Sequence, residues 1–514
     1  MRIIFIVCLL AVSLMSDARK IKDVIQLYGG RESAIEVVCI DYAVDATTLT
    51  FRTTKNCTPT LKVGHGVYIV DDNGQRHHPI STNGIKLDSL YVMVKGQSLR
   101  FAVSFDPVDI DNELLDMRIP NVVSMYGLHD RKIPVIIPKA EQSVDSDEYS
   151  LLQSGDGGFV EIEGMFHSSE NVEGQLLYFQ YNTICSRYDA DKYAMVDDGG
   201  HFKLRFWMDV PRSVVVNKGG GLLVKPLGRL YLRPGDKIQL DVYDTDEGYA
   251  MSSRSLIGRK TYDKYSNIGR CLTFMNALDY QKNFRSGMTY MGYDDHYSDL
   301  WNCYKADSAF TNYLCWHNKL SPFETHLQFA LFREMYLYDF LSLDMAVKSL
   351  YLRLKYEKED AVYSGFGDLF DSSDTVRFLQ YMDRMDYAYL KLLDPDDLIY
   401  MTIGTFDTDA SMMGGLELLA QCNGMIAKGD KNRWVKIIEQ QSKELNRIAG
   451  WSGLTFVQQM ITVFDYTRIF DGSHADEVQY QQVRALLTNP YCKKLLDCRH
   501  QQMLERAKTM ENAW

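Results

Sequence analysis

The hydrophobic period of this chain changes once along its length. Up to about Ser252, apolar residues recur in short runs at every second position; beyond it they recur about every 3.6 residues. Alternation puts one face of a strand into a core and the other into water, whereas the longer period builds amphipathic helices. A chain of 514 residues exceeds what one hydrophobic core normally organises. The change of period therefore predicts a multidomain β plus α protein, with two small antiparallel β-sandwich-like domains followed by an irregular all-helical domain.

Turn chemistry sets the expected boundaries. In the first β domain, 24–138, the runs Thr48 to Phe51 and Val67 to Val70 alternate, and Asp72-Asn73-Gly74 predicts a tight hairpin in which Asn and Gly both take positive φ. Leu99 to Phe105 alternates strictly until Pro107 stops it. Residues 139–158 carry Glu141, Asp145, Asp147, Glu148 and a glycine-rich end, which reads as a linker. The second β domain, 159–245, contains Asp197-Asp-Gly-Gly200 leading into Phe202 to Phe206. It also contains Leu230 to Leu232 joined to Ile238 to Val242 through Arg233-Pro-Gly-Asp236, a type II turn with Pro and Gly at its centre.

The helical domain, 252–514, announces itself through caps. Ser321-Pro322-Phe323-Glu324 combines an N-cap, an N1 proline and a capping-box glutamate, with Phe329, Phe332, Tyr336 and Phe340 continuing the helix. Asp394-Pro395 and Asn489-Pro490 repeat the cap-then-proline signal. Further helical runs are expected near 375–393, 411–428, 432–448, 453–469 and 475–488, without a fixed repeat.

Residues 1–18 read as a secretory signal peptide: Arg2, an apolar run from Ile3 to Met15, then Ser16, Asp17 and Ala18. The run is too short for a membrane-crossing helix, and the mature chain is expected to have no transmembrane segment. Periplasm or cell envelope is the expected location. A formal net charge of −12 opposes nucleic acid as a partner. Removing Cys8 from the ten cysteines leaves an odd number without any Cys-x-x-Cys, which argues against a zinc knuckle and a thioredoxin-type centre.

Few residues offer chemistry. No metal site is implied: His77 and His78, adjacent on a strand, point to opposite faces, and Asp244, Asp246, Glu247 and Gly248 lack the spacing of a calcium loop. No phosphate loop or nucleophile elbow occurs, and no cofactor is implied. Tyr290, Tyr293, His296 and Tyr297 concentrate aromatic and hydrogen-bonding groups in a stretch without clean helical period. They either form a ligand-binding loop at the β-to-helix junction or pack the seam between domains. Cys492 falls at the N3 position of the helix opened by Asn489 and Pro490, beside Lys493 and Lys494. Unpaired amides and the helix dipole there favour a thiolate, so Cys492 is the redox candidate, with ordinary burial as the alternative.

Tyr68 to Gly74 with Phe101 to Pro107, and Asp198 to Phe202 with Tyr231 to Asp236, resemble the non-catalytic N-terminal β and helical regions of exported bacterial thiol-disulfide oxidoreductases of the TlpA/ResA type. In that family a thioredoxin-like domain follows. This chain reaches Trp514 where such a domain would begin and has no Trp-Cys-x-x-Cys, so the resemblance transfers no catalytic residue. It implies an exported accessory or binding protein of the cell envelope, whose partner is a separate exported redoxin, an envelope protein or a glycan. A divergent thiol oxidoreductase using Cys492 and a glycan-binding envelope protein are the alternatives, and enzymatic activity stays open.

Overall fold

The computed structural model describes residues 19–27, 35–53, 60–64, 66–92, 98–119, 123–134, 148, 152, 157–168, 172–180, 191–219, 225–245, 248–262, 293–356, 387–403, 406–414, 432–469 and 477–511. The chain divides into two compact units, Met1–Pro138 and Lys139–Trp514.

In the first unit, β1 (Arg19–Ile21), β3 (Ile35–Tyr42), β4 (Thr47–Thr53), β10 (Arg100–Phe105) and β8 (Pro79–Asn83) make one sheet in that order. The order of the second sheet is β2 (Val24–Ile25), β12 (Val123–Asp130), β11 (Leu115–Ile119), β6 (Tyr68–Val70) and β7 (Arg76–His77), and β5 (Thr60–Lys62) pairs separately with β9 (Leu90–Val92). One core joins them: Val37, Leu49, Phe51, Phe101 and Val103 from one sheet, Ile69, Leu115, Met117, Met125 and Leu128 from the other. Alternation explains the choice, since β10 buries Phe101, Val103 and Phe105 and leaves Arg100 outside. The expected hairpin is present but built differently. Gly74 alone takes positive φ (82°), while the Asp71 carboxylate accepts the amides of Asn73 (3.0 Å) and Gln75 (2.8 Å) and faces buried His77 at 3.3 Å. The side chain of Asp71 folds the turn, so Asn73 is spared a left-handed conformation.

The second unit opens with two four-stranded sheets over a common core of Val160, Ile162, Phe179, Phe206, Val214, Val216 and Leu240. One runs β16 (His201–Met208), β13 (Gly158–His167), β19 (Lys237–Thr245), β20 (Gly248–Ser255); the other β15 (Asp191–Met195), β14 (Leu176–Gln180), β17 (Arg212–Lys218), β18 (Lys225–Leu232). These ladders are antiparallel except that β13 and β19 run parallel. The Arg233 to Asp236 turn has the expected form, with Gly235 at φ 81° and the Asp236 amide donating to the Arg233 carbonyl. It closes no hairpin; it carries the chain from β18 in one sheet to β19 in the other.

The helices are α1 (Tyr293–His317), α2 (Pro322–Tyr356), α3 (Phe406–Gly414), α4 (Arg433–Ala449), α5 (Phe456–Ile469), α6 (Glu477–Leu486) and α7 (Pro490–Glu511). The Ser321 capping box is formed, its amide and hydroxyl donating to Glu324 at 2.9 and 2.6 Å. α2 buries residues on most of its circumference, Phe323, Leu327, Ala330, Leu331, Phe332, Tyr336, Leu337 and Phe340 among them, so it lies inside the helical layer and not on it. α4 instead buries Trp434, Ile437, Ile438, Gln441 and Leu445, one stripe at helical spacing, and ends on Gly450 in the left-handed region.

Asp394-Pro395 does not open an α-helix. Asp397 caps a short 3-10 turn, Leu398–Thr402, while the Asp396 carboxylate and the Pro395 carbonyl receive the first amides of α5. The sequence reading also missed a capping box there, Thr455 with Gln458.

Segment 139–158, read as a solvated linker, supplies two anchors. Leu152 joins the helical core, and the Glu148 carboxylate, 3% exposed, is bound by the Arg233 guanidinium and the Tyr262 hydroxyl. The β-to-helix seam of this unit is accordingly packed. Tyr231, Tyr262 and Phe323 meet with ring centroids 4.8 to 5.6 Å apart, and the wholly buried Arg212 donates to the Met401 carbonyl (2.7 Å) and the Tyr491 hydroxyl (3.2 Å).

Candidate functional site

Of the residues expected to bind or react, the structure describes the side chains of Tyr297 and Cys492. Tyr290 lies outside the described residues. Tyr293 and His296 fall in the first turn of α1, so the stretch without clean period is helical at its end; nothing is described of their side chains. Tyr297, four positions on, is partly buried with its ring edge-on to Phe340 at 5.3 Å. That contact lies within the helical layer, between α1 and α2.

Cys492 sits at N3 as expected: the Asn489 side chain accepts the amides of Tyr491 (2.8 Å) and Cys492 (3.3 Å). Its thiol is wholly buried, which denies it the access that disulfide exchange requires. Cys39, Cys303 and Cys315 are also buried thiols, and burial pushes the Cys315 thiol up to about 12. Cys498 is disulfide-bonded. Among the described residues no His, Cys, Asp and Glu group could hold a metal ion, and no helix is long and apolar enough to cross a membrane.

The surface that stands out was not singled out by the sequence: the outer face of the β16-β13-β19-β20 sheet. Alternation along β13 sends Val160, Ile162 and Phe166 inward and Phe159, Glu161, Glu163, Met165 and His167 outward. Register then decides neighbours across the sheet. Phe159 pairs with Trp207, Glu161 with Arg205 on one side and Lys237 on the other, Glu163 with Lys203 and Gln239, and His167 with Tyr243.

Trp207 and Phe159 are 53% and 45% exposed, whereas most of the aromatic rings among the described residues are buried. Their rings stand edge-to-face at 5.1 Å, the Arg205 guanidinium covers Phe159 at 3.8 Å, and the indole lies so close over Gly157 that a Cβ there would sit 2.5 Å from it. The indole is thereby held on the sheet, exposed but placed.

Beside this pair runs an ionic row across three strands, with Glu161 facing Arg205 at 3.5 Å and Lys237 at 3.2 Å, and a second pair, Lys203 with Glu163, at 3.2 Å. Farther along, His167 stacks on Tyr243 at 4.6 Å and contacts the Asp241 carboxylate at 3.3 Å. Exposed ion pairs like these contribute about 1 kcal/mol or less each to stability, so the row offers donors and acceptors to solvent more than it holds the fold.

No family model matches the chain, and no curated protein matches it. Solved structures align with part of it, the following two among them. The Bacillus anthracis TIE protein is 10% identical over 46% of this chain and 50% of its own, at a TM-score of 0.12. A structure described as "Trapped Toxin" is 9% identical over 43% and 48%, also at 0.12. The chain spans about half the length of these two, and likeness at that score carries no argument about fold or activity.

The arrangement on the sheet can hold a ligand by stacking and hydrogen bonding. Trp207 carried a weak sequence signal, as the next outward position after Lys203 and Arg205 in an alternating strand. Its partner Phe159 is 48 residues away in sequence, and no local rule brings the two together.

Proposed function

We propose that this is an exported binding protein of the cell envelope that works by surface recognition, with the outer face of the β16-β13-β19-β20 sheet as its working surface. The observation that carries the reading is the placed, half-exposed Trp207–Phe159 pair beside a row of interleaved charges. Large rings on a rigid sheet lose little rotamer freedom on binding, which is how recognition surfaces gain affinity at low entropic cost.

Export is supported by the signal-like N-terminus and by the disulfide at Cys498, since such bonds persist in oxidising compartments. An accessory role beside a separate exported redoxin rests on the family resemblance alone. The burial of Cys492 weighs against thiol exchange at that residue.

The test is retention of the purified chain on isolated cell envelopes. Trp207→Ala and Phe159→Ala should each release it, and Trp316→Ala, which removes a partly exposed indole from α1, should not. Equal retention of all four proteins would refute the assignment of the face.

A further inference from the structure

The chemistry of the face narrows what it binds. Phe159 and His167 lie eight positions apart on β13, about 27 Å at the rise of a strand, so two aromatic clusters bracket the ionic row along one direction. An extended ligand fits that layout better than a compact one.

Charge and the placing of apolar surface exclude two ligand classes. Across the row, Arg205, Lys237 and Lys203 alternate with Glu161 and Glu163 at spacings well inside a Debye length of about 8 Å. Their fields largely cancel, and the whole chain is acidic at −12, so a polyanion finds no attractive potential here. An amphipathic helix needs a continuous apolar groove, and the apolar surface on this face is confined to its ends.

What remains is a ligand without net charge, rich in groups that both donate and accept hydrogen bonds and carrying flat apolar patches for the rings. Sugar hydroxyls accept from the guanidinium and ammonium groups and donate to the carboxylates and to the Gln239 carbonyl, while the C–H face of a pyranose covers an indole. Resting on the reading of this face as the working surface, we infer that its ligand is an extended neutral glycan laid along β13, stacked on Trp207 and hydrogen-bonded by Arg205, Glu161 and Lys237.

The experiment uses the full chain against an array of neutral and uronic-acid polysaccharides, followed by calorimetric titration with the best soluble oligosaccharide. Saturable binding to a neutral glycan is expected. Trp207→Ala should weaken it about tenfold or more, Glu161→Gln severalfold, and Trp316→Ala should leave it unchanged. Trp207→Phe, which keeps a ring, should retain part of the affinity, and thermal melts identify any variant that fails by misfolding.

No binding to any glycan, a preference for the uronic-acid polymers, or neutral binding insensitive to Trp207→Ala would each overturn the inference. Envelope retention separates this failure from failure of the broader reading. If protease treatment of the envelopes abolishes Trp207-dependent retention and periodate oxidation of their sugars does not, the face recognises protein and only the glycan inference falls. If retention never depends on Trp207, both fall.

Discussion

Gly164 sits where the sheet carrying the proposed face leaves no room for a side chain. It lies on β13 opposite Leu240 of β19, in the parallel ladder, and an added Cβ would stand 1.8 Å from the Leu240 carbonyl oxygen and 2.7 Å from the Phe202 ring. Reaching even 3.0 Å, the lower limit for real Cβ contacts, requires the carbonyl to retreat about 1.2 Å. An N–H···O bond lengthened that far from about 2.9 Å is no longer a hydrogen bond.

Gly164→Ala should therefore lose one or two buried ladder bonds, about 1 kcal/mol each, and add overpacking against Phe202 of about 1–3 kcal/mol. A destabilisation of about 3–4 kcal/mol is expected for the second unit. Gly74→Ala is the control: it has positive φ but nothing within 4 Å, so it should cost only the left-handed penalty of about 1 kcal/mol. Urea unfolding followed separately for the two units, with Trp fluorescence for the second, measures both. A cost for Gly164→Ala below about 1 kcal/mol would refute the close-approach argument. A change in the Glu161–Lys237 register should also weaken whatever the face binds.

Three further outcomes are expected. Cys492, Cys303 and Cys315 should resist alkylation in the native protein near neutral pH and react only after unfolding, as peptide mapping would show; rapid native labelling of Cys492 would restore the redox reading. Arg233→Met should destabilise the second unit by about 3–5 kcal/mol in chemical denaturation, because it takes the ion-pair partner from the buried Glu148 carboxylate, leaving it the Tyr262 hydroxyl, while Asp236 keeps Arg259; a loss under about 1 kcal/mol would contradict the buried network. Burial and then nearby Glu334 push the Asp339 carboxyl from 3.8 up to about 8. With its folded value raised, Asp339 gives full stability below about pH 4 and loses it as pH rises toward about 8, at up to about 1.4 kcal/mol per pH unit. Asp339→Asn should flatten that slope in urea midpoints measured across the window, and an unchanged slope would count against it.

Much of the local architecture was legible in the sequence. Alternation located strands in both β modules, and the Ser321 and Asn489 caps, the Arg233–Asp236 turn and the helical run near 432–448 matched their expected forms. The misreadings are instructive. Asp71 and Asp396 act through side chains on amides that propensity alone assigns to the backbone or to the next helix, and Glu148 reads as a linker charge until Arg233, 85 positions away, covers it. The outer face of the β16-β13-β19-β20 sheet was the least legible part, since exposure of Trp207 depends on which strand lies beside it and what covers the sheet.

By itself the sequence determined the features set within a few residues: where the period is two or 3.6, where a turn or cap can form, and which side of each strand is apolar. Backbone sterics and hydrogen bonds between near neighbours settle these, whatever the rest of the chain does. Only the tertiary structure decided that β13 pairs in parallel with β19, that the Arg233 turn bridges two sheets, that Cys492 is sealed from solvent, and that Phe159 meets Trp207. Those outcomes follow from competition among many distant pairings of similar local quality, and packing of the whole core selects one.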